Sequence, residues 1–138
     1  MASSGNRPTT VGRTQDLRVL AVEDHEISRR LLESMLASFG AECTFAATAG
    51  EALELADSQI FDIVLLDCSL PDMSGQDLAQ RLCHCAGTRR AGILAVTGQP
   101  RPSLLPPAFA GWLEKPYSVR DLYTAVLAGT HRRVTAHG

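Results

Sequence analysis

The sequence predicts an α/β fold in which five parallel strands form an open, doubly wound sheet with helices on both faces. Strand-like apolar segments alternate with segments of helical periodicity between residues 17 and 128, the order expected of a parallel sheet with helical crossovers. The strand segments are apolar almost without interruption, as in strands buried on both faces. The length of 138 residues suits one domain with a substantial core.

The first strand and the first helix are predicted by residues 17–40. The segment LRVLAV is apolar except for Arg18 and forms the first strand. The residues after it have apolar side chains at helical spacing, and Gly40 is expected to end the helix. These apolar residues are Ile27, Leu31, Leu32, Met35, Leu36 and Phe39.

The next unit contains a strand, a short helix and a further strand. The segment ECTFAA is the second strand. A helix over residues 48–58 follows, and Thr48 and Glu51 form the capping box that begins it. The segment DIVLL is the third strand, and it runs directly into Asp67.

The second half of the chain contains two further strands and two further helices. The third helix begins at Ser74 with Asp77 as its capping partner, and the last begins at Ser118 with Asp121. The side chains that these helices are expected to bury are Leu78, Leu82 and Cys85 in the third and Leu122, Ala125 and Val126 in the last. The segments ILAV and GWL are the fourth and fifth strands.

Charged and hydroxyl side chains stand at the carboxyl ends of four predicted strands. They are Glu23 and Asp24 after the first strand, Asp67 after the third, Thr97 after the fourth and Lys115 after the fifth. A doubly wound sheet binds ligands beyond these ends. Three carboxylates in one cleft repel one another unless a cation joins them, and oxygen ligands on a hydrated surface suit Mg²⁺. Lysine and threonine add donors for a phosphoryl group, with Asp67 as candidate nucleophile.

This arrangement resembles the receiver domain of two-component response regulators. The residues that occur in the family's order are Glu23, Asp24, Asp67, Thr97, Lys115 and Pro116. Residues 67–75 match the acceptor-loop pattern D-x-x-x-P-x-x-x-G. The resemblance covers residues 17–128 and implies a flavodoxin-like sheet with strand order 2-1-3-4-5. The segments VEDHEISRRLLESML and LLDCSLPDMSG are more similar to receivers of hybrid sensor kinases than to those of DNA-binding regulators.

The resemblance implies a phosphoacceptor in a phosphorelay and not an enzyme, apart from assistance to its own phosphorylation and dephosphorylation. Asp67 would take a phosphoryl group from a phosphohistidine on a sensor histidine kinase or a histidine phosphotransfer domain. Mg²⁺ would be the cofactor, bound by Asp24, Asp67 and the backbone carbonyl of Ser69, with Glu23 acting mainly through water. The threonine and the lysine at the strand ends would contact the phosphoryl oxygens.

Two features depart from the family's usual pattern. The segment between Thr97 and Lys115 is shorter than usual and contains four prolines, which block helix interiors. We therefore expect a shortened or missing fourth helix, with at most a turn around residues 103–105. Trp112 stands where the family usually has Tyr or Phe. The larger indole, which must place its N–H, puts the family's usual aromatic switch in question.

Two other functions remain open from the sequence. An aspartyl-phosphate hydrolase also has a nucleophilic Asp at a strand end, but its D-x-D pattern requires a second acid where this chain has Ser69. A pseudo-receiver would bind partners without phosphate. The interrupted fourth-helix segment favours that function, whereas Asp24, Asp67 and Lys115 argue against it.

Composition argues against several other classes. The formal net charge of -2 and the pI of about 6.0 give no basic surface for nucleic acid. No apolar run approaches the ~18 residues of a membrane span, and the start of the chain has no apolar core of a secretory signal. We expect a cytoplasmic domain over residues 17–128, with a flexible tail or linker at 1–16 and a C-terminal tail at 129–138.

The four cysteines match no common disulfide or zinc pattern. A metal site at Cys83, His84 and Cys85 is disfavoured, because ligands two residues apart on a helix point in different directions. Reduced cysteines in a cytosolic protein are the simpler interpretation.

Overall fold

The computed structural model describes the backbone of residues 17–137 and the side chains of residues 17–130. The predicted N-terminal tail at 1–16 lies outside the described residues. The strands are β1 (Arg18–Val22), β2 (Glu42–Ala46), β3 (Ile63–Asp67), β4 (Gly92–Thr97) and β5 (Gly111–Glu114). The helices are α1 (Glu26–Ser38), α2 (Ala49–Ser58), α3 (Gly75–Leu82) and α4 (Val119–His137).

The five strands form one parallel sheet in the order β2-β1-β3-β4-β5, which confirms the predicted fold. β1 pairs with β2 on one side and with β3 on the other, so the winding of the sheet reverses at β1. Every residue of β3 and β4 is buried, as expected for strands covered on both faces.

Side chains along β1 alternate between two cores, one on each face of the sheet. Leu20 and Val22 pack with α2 and α3, whereas Val19 and Ala21 pack with α1 and α4. Because successive strand residues point to opposite faces, one strand supports both helical layers. The buried residues of α2 are all alanines, Ala49, Ala52 and Ala56, and the half-buried Leu53 and Leu55 pack against the same core.

Three helix starts and the end of α1 form as the sequence predicts. In three helices a hydroxyl oxygen accepts a hydrogen bond from the backbone N–H three residues on, at 3.0–3.1 Å: Thr48 from Glu51, Ser74 from Asp77 and Ser118 from Asp121. After α1 the backbone turns at Gly40 with φ 81°, in the left-handed region where glycine carries no steric cost.

The predicted apolar face of α1 is only partly correct. Leu32 and Leu36 are buried, whereas Ile27 is 83% exposed and Leu31 is 56% exposed. Apolar residues at three- and four-residue spacing cover a broad side of a helix, and only part of that side contacts the sheet here. Ile27 and Leu31 lie one turn apart, so the helix presents an apolar pair to solvent.

The third helix is shorter than predicted. It ends at Leu82, so Cys85 lies beyond the helix and is half-buried rather than buried. Within the described residues, the one group able to hold a metal ion consists of three acids and a histidine, and it includes neither Cys83 nor Cys85.

The last helix extends into the residues that we predicted as a C-terminal tail. Helix α4 continues to His137, beyond the predicted tail start at 129. Thr130 is buried, and its hydroxyl donates to the carbonyl of Val126 at 2.9 Å. Residues 129 and 130 therefore belong to the packed domain, because α4 still covers the sheet there.

The segment between β4 and β5, which is described in full, contains no helix, and this confirms the prediction from its prolines. Phe109 is 3% exposed and anchors the segment in the core beside α2 and α3. Its ring meets that of Trp112 edge to face, with 6.3 Å between centroids. Leu104, near the middle of the segment, is 85% exposed.

Across the part of the chain that the structure describes, none of the helices combines the length and the apolar character that a membrane crossing requires.

Candidate functional site

The residues predicted at the strand ends meet at one edge of the sheet. β1 and β3 are paired up to the residues before Glu23 and Asp67, so these two acids lie side by side. β4 ends at Thr97, and its neighbour β5 ends one residue before Lys115. The Lys115 N–H donates to the Thr97 carbonyl at 2.7 Å. Parallel register alone therefore brings both acids, the hydroxyl and the amine to one crevice.

Three acids and a histidine form a cluster in this crevice. Glu23, Asp24, His25 and Asp67 each offer one ligand atom, and these atoms lie within 4.8 Å of one another. Glu23 and Asp67 are 5% and 2% exposed, while the side chain of Asp24 is 27% exposed. Several carboxylate oxygens with one side open to solvent fit Mg²⁺, which prefers oxygen ligands and keeps several waters.

His25 lies at the rim of the cluster and is not among the predicted ligands. Its Nδ1 is 3.1 Å from Asp24 Oδ1 and 3.6 Å from Glu23 Oε2, and its backbone N–H donates to Glu23 Oε2 at 3.1 Å. The imidazole is 71% exposed, and His25 is the N-cap residue of α1. Because Mg²⁺ prefers oxygen, His25 is better suited to orient the two acids than to bind the ion.

Lys115 supplies the positive charge of the site. Its Nζ is 3.5 Å from Asp67 Oδ2 and 3.9 Å from Glu23 Oε1. The side chain is 35% exposed, so it reaches the acids from the solvent side. An amine in this position also pairs with an anion that approaches Asp67.

The surroundings of Asp67 lower the pKa of its carboxyl group. Burial by itself would raise its pKa, but hydrogen bonds from the Ser69 backbone and from Glu23, together with the charge of Lys115, lower the pKa below the ordinary value. The Ser69 N–H donates to Asp67 Oδ1 at 3.0 Å. Burial raises the pKa of Glu23, and the neighbouring charge of Asp67 adds to the rise. Asp67 is therefore the more acidic carboxyl group of this pair.

Thr97 is linked to Trp112 through Gln99, which the sequence analysis did not single out. The Gln99 N–H donates to Thr97 Oγ1 at 3.1 Å, and the Gln99 carbonyl accepts from Trp112 Nε1 at 2.9 Å. The indole N–H thus has a partner across the loop after β4. Nothing in the sequence pattern marks Gln99, because its role depends on the backbone path between two strands. Tyr117 was also missed, and burial followed by the charges of Glu23 and Asp67 raises its pKa.

The packing of the acceptor loop, residues 68–74, explains why a glycine follows it at position 75. A side chain at Gly75 would place its Cβ 2.9 Å from Cys68 Sγ and 3.1 Å from Cys68 Cα. Helix α3 can therefore start against the loop because this residue has no side chain. Leu70 is 8% exposed and packs in the core beside α2 and α3, which fixes the middle of the loop. By contrast, a Cβ at Gly98 would meet nothing within 4 Å.

Chemically, the crevice combines the buried carboxylate of Asp67 with two further acids whose oxygens are of the type that divalent cations prefer. The nearby amine and hydroxyl are suited to bind oxygens of an incoming anion. This combination is typical of phosphoryl transfer, in which positioning and electrostatic stabilisation provide most of the catalysis.

Comparisons with known proteins agree with this site. The sequence profile described as the response regulator receiver domain matches residues 19–127. The sensor histidine kinase RcsC of Salmonella typhimurium is 39% identical over 84 residues, which are 59% of this chain and 9% of RcsC. The sensor histidine kinase AruS of Pseudomonas aeruginosa is 34% identical over 122 residues, which are 80% of this chain and 12% of AruS. The chain therefore spans a small part of either relative.

A solved structure has the same fold. The receiver domain of the sensor histidine kinase PA1611 from Pseudomonas aeruginosa PAO1 has a TM-score of 0.73 and 25% identity, over 83% of this chain and 98% of that one. That structure has a magnesium ion coordinated in its active site cleft. Since the family profile matches most of the sequence and the expected residues converge in space, this chain belongs to the response regulator receiver domain family.

Proposed function

We propose that this chain is the phosphoacceptor of a two-component phosphorelay and that Asp67 receives the phosphoryl group. The observation that carries the proposal is a buried Asp67 carboxylate with Lys115 Nζ at 3.5 Å and the acids Glu23 and Asp24 beside it. Burying a carboxylate among other acids costs free energy, and such arrangements are concentrated at functional sites.

In the proposed step, a carboxylate oxygen of Asp67 attacks the phosphorus of a phosphohistidine. The new oxygen–phosphorus bond forms as the phosphorus–nitrogen bond breaks. The imidazole leaves with the bonding electron pair, and its nitrogen ends protonated from solvent. Lys115 pairs with one phosphoryl oxygen and the hydroxyl of Thr97 donates to another, which stabilises the charge on the group in transfer.

We further propose that Glu23, Asp24, Asp67 and the Ser69 carbonyl hold Mg²⁺, with Glu23 acting mainly through water. The donor set supports this, because carboxylate oxygens of three acids already lie within 4.8 Å of one another. When bound, Mg²⁺ would offset the repulsion between these acids and the incoming phosphoryl oxygens.

The proposed partner is a sensor histidine kinase, a histidine phosphotransfer domain, or both. Its support is that the relatives are sensor histidine kinases of which the matched region is a small part. A donor histidine must reach Asp67 over the rim of the crevice. On this rim His25, Ile27 and Pro116 are exposed and Ser28 is half-exposed. Leu70 of the acceptor loop is buried in the core and does not belong to that surface.

The experiment that tests the function is incubation of the protein with acetyl phosphate and Mg²⁺, followed by intact mass. We expect one phosphoryl adduct, and no adduct when a chelator removes Mg²⁺. Continuous turnover of acetyl phosphate or a small phosphomonoester without a persistent adduct would support an aspartyl-phosphate hydrolase. Absence of any adduct or turnover would support a pseudo-receiver and overturn the proposal.

A second prediction concerns the metal ligands. Asp24→Asn should raise the Kd for Mg²⁺ by at least about tenfold, since it removes one of few charged oxygen ligands. The metal-free variant should be at least as stable as the wild type, because repulsion within the acid cluster decreases. Titration with Mg²⁺ followed by Trp112 fluorescence measures the first effect, and thermal unfolding with a chelator measures the second.

Glu26→Gln is the matched control for Asp24→Asn. It removes one negative charge two residues away, from a side chain that pairs with Arg30 at 2.9 Å in α1. The Kd of this control should stay close to the wild-type value. Equal Mg²⁺ affinity of the Asp24 variant and the wild type would show that the ligand assignment is wrong.

A further inference from the structure

Asp72, in the acceptor loop, is hydrogen-bonded to the start of helix α2. Its Oδ1 accepts from the Ala49 N–H at 3.1 Å, and its Oδ2 accepts from the Gly50 N–H at 3.3 Å. These residues are 23 and 22 positions apart in sequence. The Asp72 carboxylate therefore joins the loop after Asp67 to helix α2, which packs on the same face of the sheet as α3.

The two contacts complete the capping of α2. The first N–H groups of a helix have no partner within the helix. In α2 the Thr48 hydroxyl accepts from Glu51, and the Thr48 carbonyl accepts from Ala52. Asp72 takes the remaining donors of the first turn, where a negative charge is also favoured by the helix dipole. The N–H groups and the dipole at the start of α2 therefore stabilise its contact with Asp72.

The position of Asp72 in the loop makes this link relevant to the site. The start of the loop is held by the Cys68 N–H, which donates to the Val96 carbonyl at 3.2 Å, and by the Ser69 contact with Asp67. Its end is held by Ser74, which caps α3. Asp72 lies between these points, three residues after the residue whose carbonyl is a proposed Mg²⁺ ligand.

We propose that Asp72 is a positioning residue for the metal site. By tying the loop to α2, it holds the backbone at Ser69 in the geometry that binds Mg²⁺. The inference rests on the proposed function, because it assumes that Mg²⁺ binds at this crevice. Coupling of this kind is reciprocal, so Mg²⁺ should in turn stabilise the start of α2.

The test is a titration with Mg²⁺ alone, followed by backbone amide chemical shifts at constant, high ionic strength. Asp72→Ala should raise the Kd for Mg²⁺ by about tenfold, the lower end of the range for residues that support metal ligands. Asp72→Asn should fall between this variant and the wild type, because its amide oxygen can still accept one of the two hydrogen bonds.

Two controls separate positioning from other effects. Thr48→Ala removes a cap at the same end of α2 without touching the loop, so it should lower the Tm and leave the Kd for Mg²⁺ unchanged. Asp77→Asn removes an exposed negative charge in the first turn of α3, and its Kd should also be unchanged. Amide exchange adds a separate readout: Mg²⁺ should slow exchange at Ala49 and Gly50 in the wild type and not in Asp72→Ala.

The outcomes are distinct. A wild-type Kd in Asp72→Ala, or exchange at Ala49 and Gly50 that ignores Mg²⁺, would overturn the role of Asp72 and leave the metal site intact. Equal Kd values for Asp72→Ala, Asp72→Asn and Asp77→Asn would show that only the loss of a negative charge matters. That result would also overturn the positioning role of Asp72. Failure of the wild type to bind Mg²⁺ would overturn both this inference and the proposed metal site.

Discussion

Asp67→Asn is expected to abolish phosphoryl labelling by acetyl phosphate. An amide has no anionic oxygen with which to form the acyl phosphate. In the wild type, the Ser69 backbone, Glu23 and Lys115 lower the pKa of the Asp67 carboxyl group, which favours its anionic form. The amide oxygen can still accept the Ser69 N–H, so the loop geometry should persist. Intact mass after incubation with Mg²⁺ and the donor measures the effect.

The control for this prediction is Asp77→Asn, which makes the same chemical change at an exposed position of α3. It should be labelled to the wild-type extent. Thermal unfolding should show that the Asp67 variant is folded, because its side chain remains hydrogen-bonded inside the crevice. Equal labelling of the Asp67 variant and the wild type would place the phosphoacceptor elsewhere and sink the assignment.

The second large effect is expected at the exposed apolar pair of α1. Ile27→Glu should slow phosphotransfer from a protein donor by about thirtyfold, equivalent to about 2 kcal/mol, the threshold for a residue central to an interface. Ile27 is 83% exposed, so ordinary core packing does not account for its apolar character. Labelling by acetyl phosphate should stay at the wild-type rate, since a small donor needs only the crevice.

Leu104→Glu is the matched control, because Leu104 is an equally exposed apolar residue in the segment without a helix. The donor would be a histidine phosphotransfer domain or kinase that phosphorylates the wild type. The transfer rate would be measured as the loss of label from the donor. We expect the Leu104 variant to behave as the wild type does. Loss of transfer in the Leu104 variant and not in the Ile27 variant would instead assign docking to the surface around Leu104.

Local patterns in the sequence determined most of the fold and the membership of the site. Continuous apolar runs predicted buried parallel strands, and the three capping boxes placed helix starts correctly at Thr48, Ser74 and Ser118. Prolines correctly predicted the missing helix before β5. The charged and hydroxyl residues of the candidate site were predictable because each lies at or just after the end of a strand. Parallel register then determines which strand ends are neighbours.

Only the tertiary structure decided which apolar and polar side chains face solvent, core or one another. Helical spacing could not distinguish the exposed Leu31 from the buried Leu32. No loop pattern indicates that Leu70 is buried either, because burial depends on what packs against each surface. The pairing of Asp72 with α2 and of Trp112 with Gln99 joins segments that are distant in sequence. Such contacts carry no periodic signal, since they are set by where two backbones pass each other in the folded chain.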